Sequence, residues 1–407
     1  MLKLKLHWQI LIAFVIAIIL GITIPEHSGY IRWLGDLFLR ALKMIIVPLV
    51  FSSIVSGVAN LGSTSSLGRL GIKTITYYLT TSVFAILTGL FLVDIIKPGV
   101  GADLGFRMDV PEMTSSTGSL GDIILRMIPT NIFDALASAD MLAIIFFAIM
   151  IGFFIPRVQS EYSDFMIKIF NAVFEVMMKL TSFIIKFAPL GILGIVTGVV
   201  ADQAADKTKL ISMIQHLGIY MVTVLAGLSI HFFITLPLIL KFFGKVNPLL
   251  HFKAMSLPII TAFSTSSSSA TLPLTIEAVE NNAGVSNKIS SFVLPLGATI
   301  NMDGTALYEC VAAMFIAQAY GIELGFVQQI IVVVTALLAS IGAAGIPMAG
   351  LVMMSVVLTA VGLPLEGVGL ILAVDRILDM CRTVVNVFSD TCGTVVIAKS
   401  EGETLKV

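Results

Sequence analysis

Residues 375–390 read Asp-Arg-Ile-Leu-Asp-Met-Cys-Arg-Thr-Val-Val-Asn-Val-Phe-Ser-Asp, inside an otherwise apolar segment. Three Asp, two Arg and an Asn in such a place leave a folded chain few options. On a helix advancing about 100° per residue, Asp375, Asp379, Arg382, Asn386 and Asp390 fall within an arc of roughly 80°. Leu378, Val384, Val385 and Val387 take the other faces. Charged groups at membrane depth cost several kcal/mol each unless paired or wetted, so they face a protein interior. An ion-pair seam between helices is one reading; we adopt the other, a ligand and ion site.

Composition supports the membrane frame. The 407 residues are 57% hydrophobic and 12% charged, with a mean hydropathy of +1.02. A soluble protein of this size needs a far more polar surface, so the chain reads as a polytopic helical membrane protein. Its net charge of −1 offers no attraction to nucleic acid. Cys310, Cys381 and Cys392 lie in apolar segments without metal-ligand spacing, so neither disulfide nor metal cluster is expected. Lys3 and Lys5 precede an apolar run over 10–24 with no small-residue cleavage site after it, which reads as a first membrane helix.

Candidate spans are 8–24, 35–61, 74–97, 121–155 (broken), 163–200 (broken near Pro189), 210–243, 286–318 and 364–397. Arg69 and Lys73 follow the second span, Arg157 the fourth, and Lys241, Lys245 and Lys253 the sixth. With Lys3, Lys5, Lys399 and Lys406, this alternation puts both termini in the cytoplasm, as in a multi-pass protein of the cell's inner (plasma) membrane. Residues 99–119, with Pro111 and a polar cluster over 114–118, read as an exposed outer loop.

Two regions do not fit simple spans. About ten apolar or small residues (254–264) run into the serine tract 266–269 and return before Asn281-Asn282. Ten helical residues reach only ~15 Å, half a bilayer core. Likewise 326–340 and 348–361 flank Ile-Gly-Ala-Ala-Gly-Ile-Pro at 341–347. Both read as re-entrant hairpins, tolerated at membrane depth where protein or a wet cavity surrounds them. Each precedes a long polar-interrupted segment, one carrying Asn301-Met-Asp-Gly304, the other Asn386 and Asp390. Two such units of opposite orientation are the inverted repeats of secondary transporters.

Asn301 and Asp303 supply hard oxygen ligands and Gly304 lets the helix unwind, as a sodium site requires; Asn386 with Asp390 offers a second cluster. Asp379 and Arg382 either pair or read the amine and carboxylate of a zwitterion, Arg being the bidentate carboxylate reader. Glu309 is either a proton carrier or a neutral core hydrogen-bonder. The hydroxyls of Tyr77, Tyr78, Thr81 and Ser82 read as structural, since Ser and Thr commonly bond back to helix carbonyls.

Ser-Ser-Ser-Ser-Ala-Thr-Leu-Pro (266–273), Asn-Met-Asp-Gly-Thr (301–305), Gly-Ala-Ala-Gly-Ile-Pro (342–347), Asp-Met-Cys-Arg-Thr-Val-Val-Asn (379–386) and Ile128-Pro-Thr-Asn131 together resemble the glutamate transporter family of dicarboxylate/amino acid:cation symporters. The resemblance covers essentially the whole chain. It implies an all-α homotrimer in the lipid bilayer, with eight transmembrane helices and two re-entrant hairpins per subunit, working as an elevator. Residues 1–73 and 121–205 would be scaffold, 74–120 and 206–407 the transport domain, with the second hairpin as gate. The implied substrate residues are Asp379 for the ammonium, Arg382 for the side-chain carboxylate, and Asn386 with Thr305 for the main-chain carboxylate. Thr383, the Ser267-Ser268 tip and the turn Gly345, Ile346, Pro347 complete them. One implied sodium site uses Gly297, Asn301, Asn386 and Asp390. A second uses carbonyls of Thr299, Met302, Ser340, Ile341 and Ala343. A third uses Tyr78, Thr81, Ser82, Asn301 and Asp303, which reverses the structural reading of the third-span hydroxyls.

Arg382 matches the acidic amino acid members, and Asp379 speaks for an amine against C4-dicarboxylates. The chain departs from the family where archaeal members carry an Arg at the position of Ser266 and animal members one at that of Met380; Arg376 is the available substitute. Glu309 matches the proton-carrying glutamate of animal members. The expected function is sodium-coupled symport of L-glutamate or L-aspartate, not enzymatic. Proton-coupled and neutral amino acid symport are the alternatives. A serine hydrolase built on 266–269 lacks a base, because His7, His27, His216, His231 and His251 lie outside the polar repeats.

Overall fold

A computed structural model describes residues 6–62, 68–102, 127–203, 207–342 and 349–407, with residues 121 and 125. Among the described residues every regular element is a helix. In chain order these are α1 (Leu6–Thr23), α2 (Gly29–Gly62), α3 (Gly68–Ile96), α4 (Ile132–Ser138), α5 (Met141–Phe154), α6 (Ser160–Ile185), α7 (Ala188–Gln203) and α8 (Lys207–Ile230). The α8 segment continues through π-helical turns at His231–Thr235 and Leu240–Gly244. There follow α9 (Pro248–Ala254), α10 (Ser256–Thr265), α11 (Ser268–Ala278), α12 (Asn287–Ile300), α13 (Asp303–Ala319), α14 (Phe326–Gly342), α15 (Ala349–Ala360) and α16 (Val368–Ser400).

Among the described residues, three helices are long and apolar enough to cross a bilayer alone, and α6 with α7, bent by 52°, makes a fourth if counted as one span. The bend falls before Pro189, which the first turn of α7 tolerates. Two packing groups form. In one, α1, α2, α5, α6 and α7 lie together. Gly194 faces Gly35 so closely that a Cβ would strike backbone, the small-residue packing that substitutes for a hydrophobic drive in lipid. In the other, α13 is packed by α3, α8, α14 and α16. Every α13 residue from Asp303 to Ala317 is buried, so its polar groups have only protein atoms to pair with.

The expected break between Asn301 and Asp303 is present: Asn301 (φ −98°, ψ 94°) and Met302 (φ −125°, ψ 61°) leave helical geometry and separate α12 from α13. The matching interruption expected near Asn386 and Asp390 is not. α16 runs unbroken over 33 residues. Asn386, Ser389 and Asp390 find side-chain or backbone partners at Asn301, Asp303, Gly304 and Thr305, so the α16 backbone has no need to open. Ser266 (φ 52°) turns the chain between α10 and α11, and Ser267 caps α11 by accepting from the Ala270 N–H at 3.1 Å.

Candidate functional site

Asp303 opens α13, where the helix dipole favours a carboxylate. Its Oδ1 accepts from Ser82 Oγ (2.6 Å) and Thr81 Oγ1 (3.3 Å) of α3. Its Oδ2 accepts from Ser389 Oγ of α16 (2.6 Å) and meets His231 Nε2 at 3.0 Å. Asn301 Nδ2 donates to Asp390 Oδ1 (2.8 Å) and Ser389 Oγ (3.1 Å), leaving the buried Asn301 Oδ1 without a hydrogen bond. A Cβ on Gly297 would overlap both Asp390 Oδ1 and the Tyr78 hydroxyl, so glycine is what admits them there. That hydroxyl donates to the Val293 carbonyl at 2.9 Å. Thus Thr81, Ser82, Asn301 and Asp303 converge, with Gly297, Tyr78 and Asp390 alongside. Two carboxylates, amide and hydroxyl oxygens, all but dry, form the donor set that suits a hard monovalent or divalent cation.

One turn into α13 the character changes. Asn386 Oδ1 accepts the Gly304 N–H (2.8 Å) and its Nδ2 donates to Thr305 Oγ1 (3.2 Å). Arg382, 1% exposed, donates from Nη2 to Asp375 Oδ1 (2.9 Å) and Asp379 Oδ1 (3.1 Å). Its guanidinium lies 3.8 Å from the Tyr308 ring centroid, a desolvated cation–π contact. Among the described residues its Nε and Nη1 carry no hydrogen bond, nor does Asp375 Oδ2. Gly350 of α15 abuts Nη1. Arg376 approaches Asp379 Oδ2 at 3.7 Å, which gives that residue a partner. Thr383 Oγ1 bonds back to the Asp379 carbonyl (2.8 Å). The buried Glu309 has no hydrogen bond at either oxygen.

Other expected residues stand apart. Ser267 and Ser268 are buried at the α10–α11 turn. The Thr299 hydroxyl points outward to the Leu296 carbonyl (2.9 Å). Met302 is buried. Ser340 is also buried, bonding back to the Leu337 carbonyl (2.7 Å), and Ile341 is half-buried. Ala343, Gly345, Ile346 and Pro347 lie outside the described residues.

The residues 6–400 match the family model described as the sodium:dicarboxylate symporter family. The chain belongs to that family. It is 37% identical to the human excitatory amino acid transporter 3, over 99% of this chain and 87% of that protein. It is 34% identical to the proton/glutamate-aspartate symporter of Escherichia coli (strain K12), over 98% and 93% respectively. To the proton/sodium-glutamate symport protein of Geobacillus stearothermophilus it is 35% identical, over 98% and 96%. A sodium:dicarboxylate symporter family member is a multi-pass membrane transporter and not an enzyme, as the sequence led us to expect.

Within this member, residue patterning overlooked His231, Ser389 and Tyr308, and noticed Asp375 without giving it a role. Along the chain the histidines lie outside the polar repeats; in space His231, opening a π turn, reaches Asp303, and His251 meets Thr391 Oγ1 at 3.0 Å. An ionisable residue inside a span was itself the available signal. Ser389 falls about 20° outside the polar arc of α16.

Proposed function

We propose that the protein is a sodium-coupled secondary active symporter of L-glutamate or L-aspartate. The observation that carries this reading is the adjacency, along α13 and α16, of an oxygen cluster around Asp303 and Asp390 and a buried Arg382–Asp379 pair with unused guanidinium donors. In operation, Asp379 takes the ammonium and Arg382 the side-chain carboxylate, leaving its pairing with Asp375. Asn386, Thr305 and Thr383 then sit beside the main-chain carboxylate, and Ser267, Ser268, Gly345, Ile346 and Pro347 complete the substrate set. Sodium ions neutralise Asp303 and Asp390, which coordinate them with Thr81, Ser82, Asn301 and Asn386. The other carbonyl set, at Thr299, Met302, Ser340, Ile341 and Ala343, serves a further ion.

The packing groups support a division into scaffold (1–73 and 121–205) and transport domain (74–120 and 206–407), moving as an elevator. In this reading each subunit of a homotrimer carries eight spans and two re-entrant hairpins, α10–α11 and α14–α15, in the inner membrane with both termini cytoplasmic. The decisive experiment is uptake of radiolabelled aspartate into liposomes under an inward sodium gradient. Uptake unchanged when choline replaces sodium at constant pH would sink the proposal.

A second reading adds a proton, and the unpartnered oxygens of buried Glu309 favour it. Glu309→Gln is expected to remove the pH dependence of uptake; a variant with the wild-type pH profile excludes Glu309 as carrier.

A further inference from the structure

A cavity of about 520 Å³ lies on the outer side of the Asp303 cluster, and none of the roles above uses it. It runs between the α3 face bearing Thr76 and Thr80, Phe243 at the end of the α8 segment, and Val396 of α16. Its walls are mainly hydrocarbon, and its rim residues Ile72 and Phe243 are 68% and 71% exposed, so it opens away from the helix bundle. Its inner wall is made by Tyr77 and Thr81. Thr81 donates to Asp303 at 3.3 Å, and the Tyr77 hydroxyl reaches the Ser389 carbonyl at 3.5 Å. A single layer of side chains therefore separates the cavity from the Asp303 carboxylate.

The cavity ends at Lys73, whose Nζ donates to the Ser400 carbonyl (3.1 Å), Ser400 Oγ (2.9 Å) and Glu401 Oε1 (2.6 Å). One turn earlier, Arg69 pairs with the same Glu401 while its side chain stays 75% exposed. Two cations share one acid, so the mouth keeps a positive charge next to an apolar slot. Hydrocarbon walls gain dispersion contacts from a chain laid between them, and basic residues at a membrane surface attract anionic headgroups.

We propose that this cavity holds one acyl chain of an anionic phospholipid, with the phosphate against Arg69 and Lys73, and that its occupancy tunes cation binding through Thr81 and Tyr77. The lipid site stands on the cavity alone; the tuning rests on the cation reading of Asp303.

The full-length protein is reconstituted in phosphatidylcholine vesicles with or without phosphatidylglycerol, extracted, and weighed by native mass spectrometry. Phosphatidylglycerol is expected to stay bound to the wild type. It is expected to be lost from Thr80→Trp, which fills the cavity from an exposed position, and from Val396→Phe, which fills it from the opposite wall. Arg69→Gln is expected to weaken its retention about fivefold. No retention in the wild type, equal retention in both filled variants, or displacement by inorganic phosphate overturns the acyl-chain site. The sodium concentration for half-maximal aspartate uptake is expected to differ between the two vesicle types for wild type and to be the same for Thr80→Trp. A wild type indifferent to the lipid overturns the tuning. Uptake that ignores sodium altogether defeats the cation reading and leaves the lipid result standing.

Discussion

The surroundings of Asp303 and of Arg382 are both buried and both built on α13 and α16, but they are satisfied in opposite ways. Asp303 accepts from three hydroxyls and meets an imidazole, and Asp390 accepts from an amide, so among the described residues the two carboxylates have no Lys or Arg as hydrogen-bond partner. Around Arg382 charge meets charge, with Asp375 and Asp379 on one nitrogen and Tyr308 beneath the plane. Dry carboxylates without a Lys or Arg partner are suited to a mobile cation. A guanidinium already paired at one nitrogen, with two more left unused, can exchange an internal acid for a ligand's carboxylate at little net cost. In the proposed function the first cluster receives ions and the second holds the place of an anionic group.

The strongest way to break this contrast is Arg382→Ala, which strands two buried acids and removes the proposed carboxylate reader. A loss of about 3–5 kcal/mol in aspartate binding is expected, seen by calorimetry in sodium buffer. Binding that survived intact would make Arg382 a structural seam. Asp303→Asn keeps the volume and removes the charge. Sodium affinity is expected to fall by about 2–3 kcal/mol with aspartate recognition in saturating sodium retained, measured as the sodium titration midpoint of aspartate binding. If both ligands weakened equally at saturating sodium, the two clusters would be one.

His231→Ala sharpens the comparison by removing only the donor behind Asp303. The midpoint is expected to rise about tenfold, with partial recovery in His231→Gln, which restores an N–H; a merely space-filling histidine gives no such recovery. The smallest effect is expected outside both clusters, at Glu401. Hydrogen bonds from Lys73 and Arg69 hold its carboxyl below the usual range. A depressed carboxylate adds stability above its unfolded pKa of about 4.3 and loses it as pH falls through the folded value. Glu401→Gln should therefore flatten the acid limb of thermal stability, read as the melting temperature against pH.

Much of this was readable along the chain. The polar arc of α16 and the Asn301–Asp303 break follow from residue spacing, and the short arms around the serine turn follow from length against bilayer thickness. The reading failed where it treated Asn386 and Asp390 as a second helix break. Asn301 and Met302 leave helical geometry just before Gly304, whereas α16 stays continuous and its Asn386 and Asp390 side chains are met by the Asn301–Thr305 segment. It also failed for His231, whose partner Asp303 is 72 residues away, and for Ser389, whose partner Asp303 is 86 residues away.

Sequence by itself determined that this chain is a helical membrane protein with charges concealed on particular faces, because hydropathy, period and segment length are local quantities. Tertiary structure alone decided which donors meet which carboxylate. That choice depends on how α3, the π-distorted end of the α8 segment, α13 and α16 are brought side by side, and no local rule contains it.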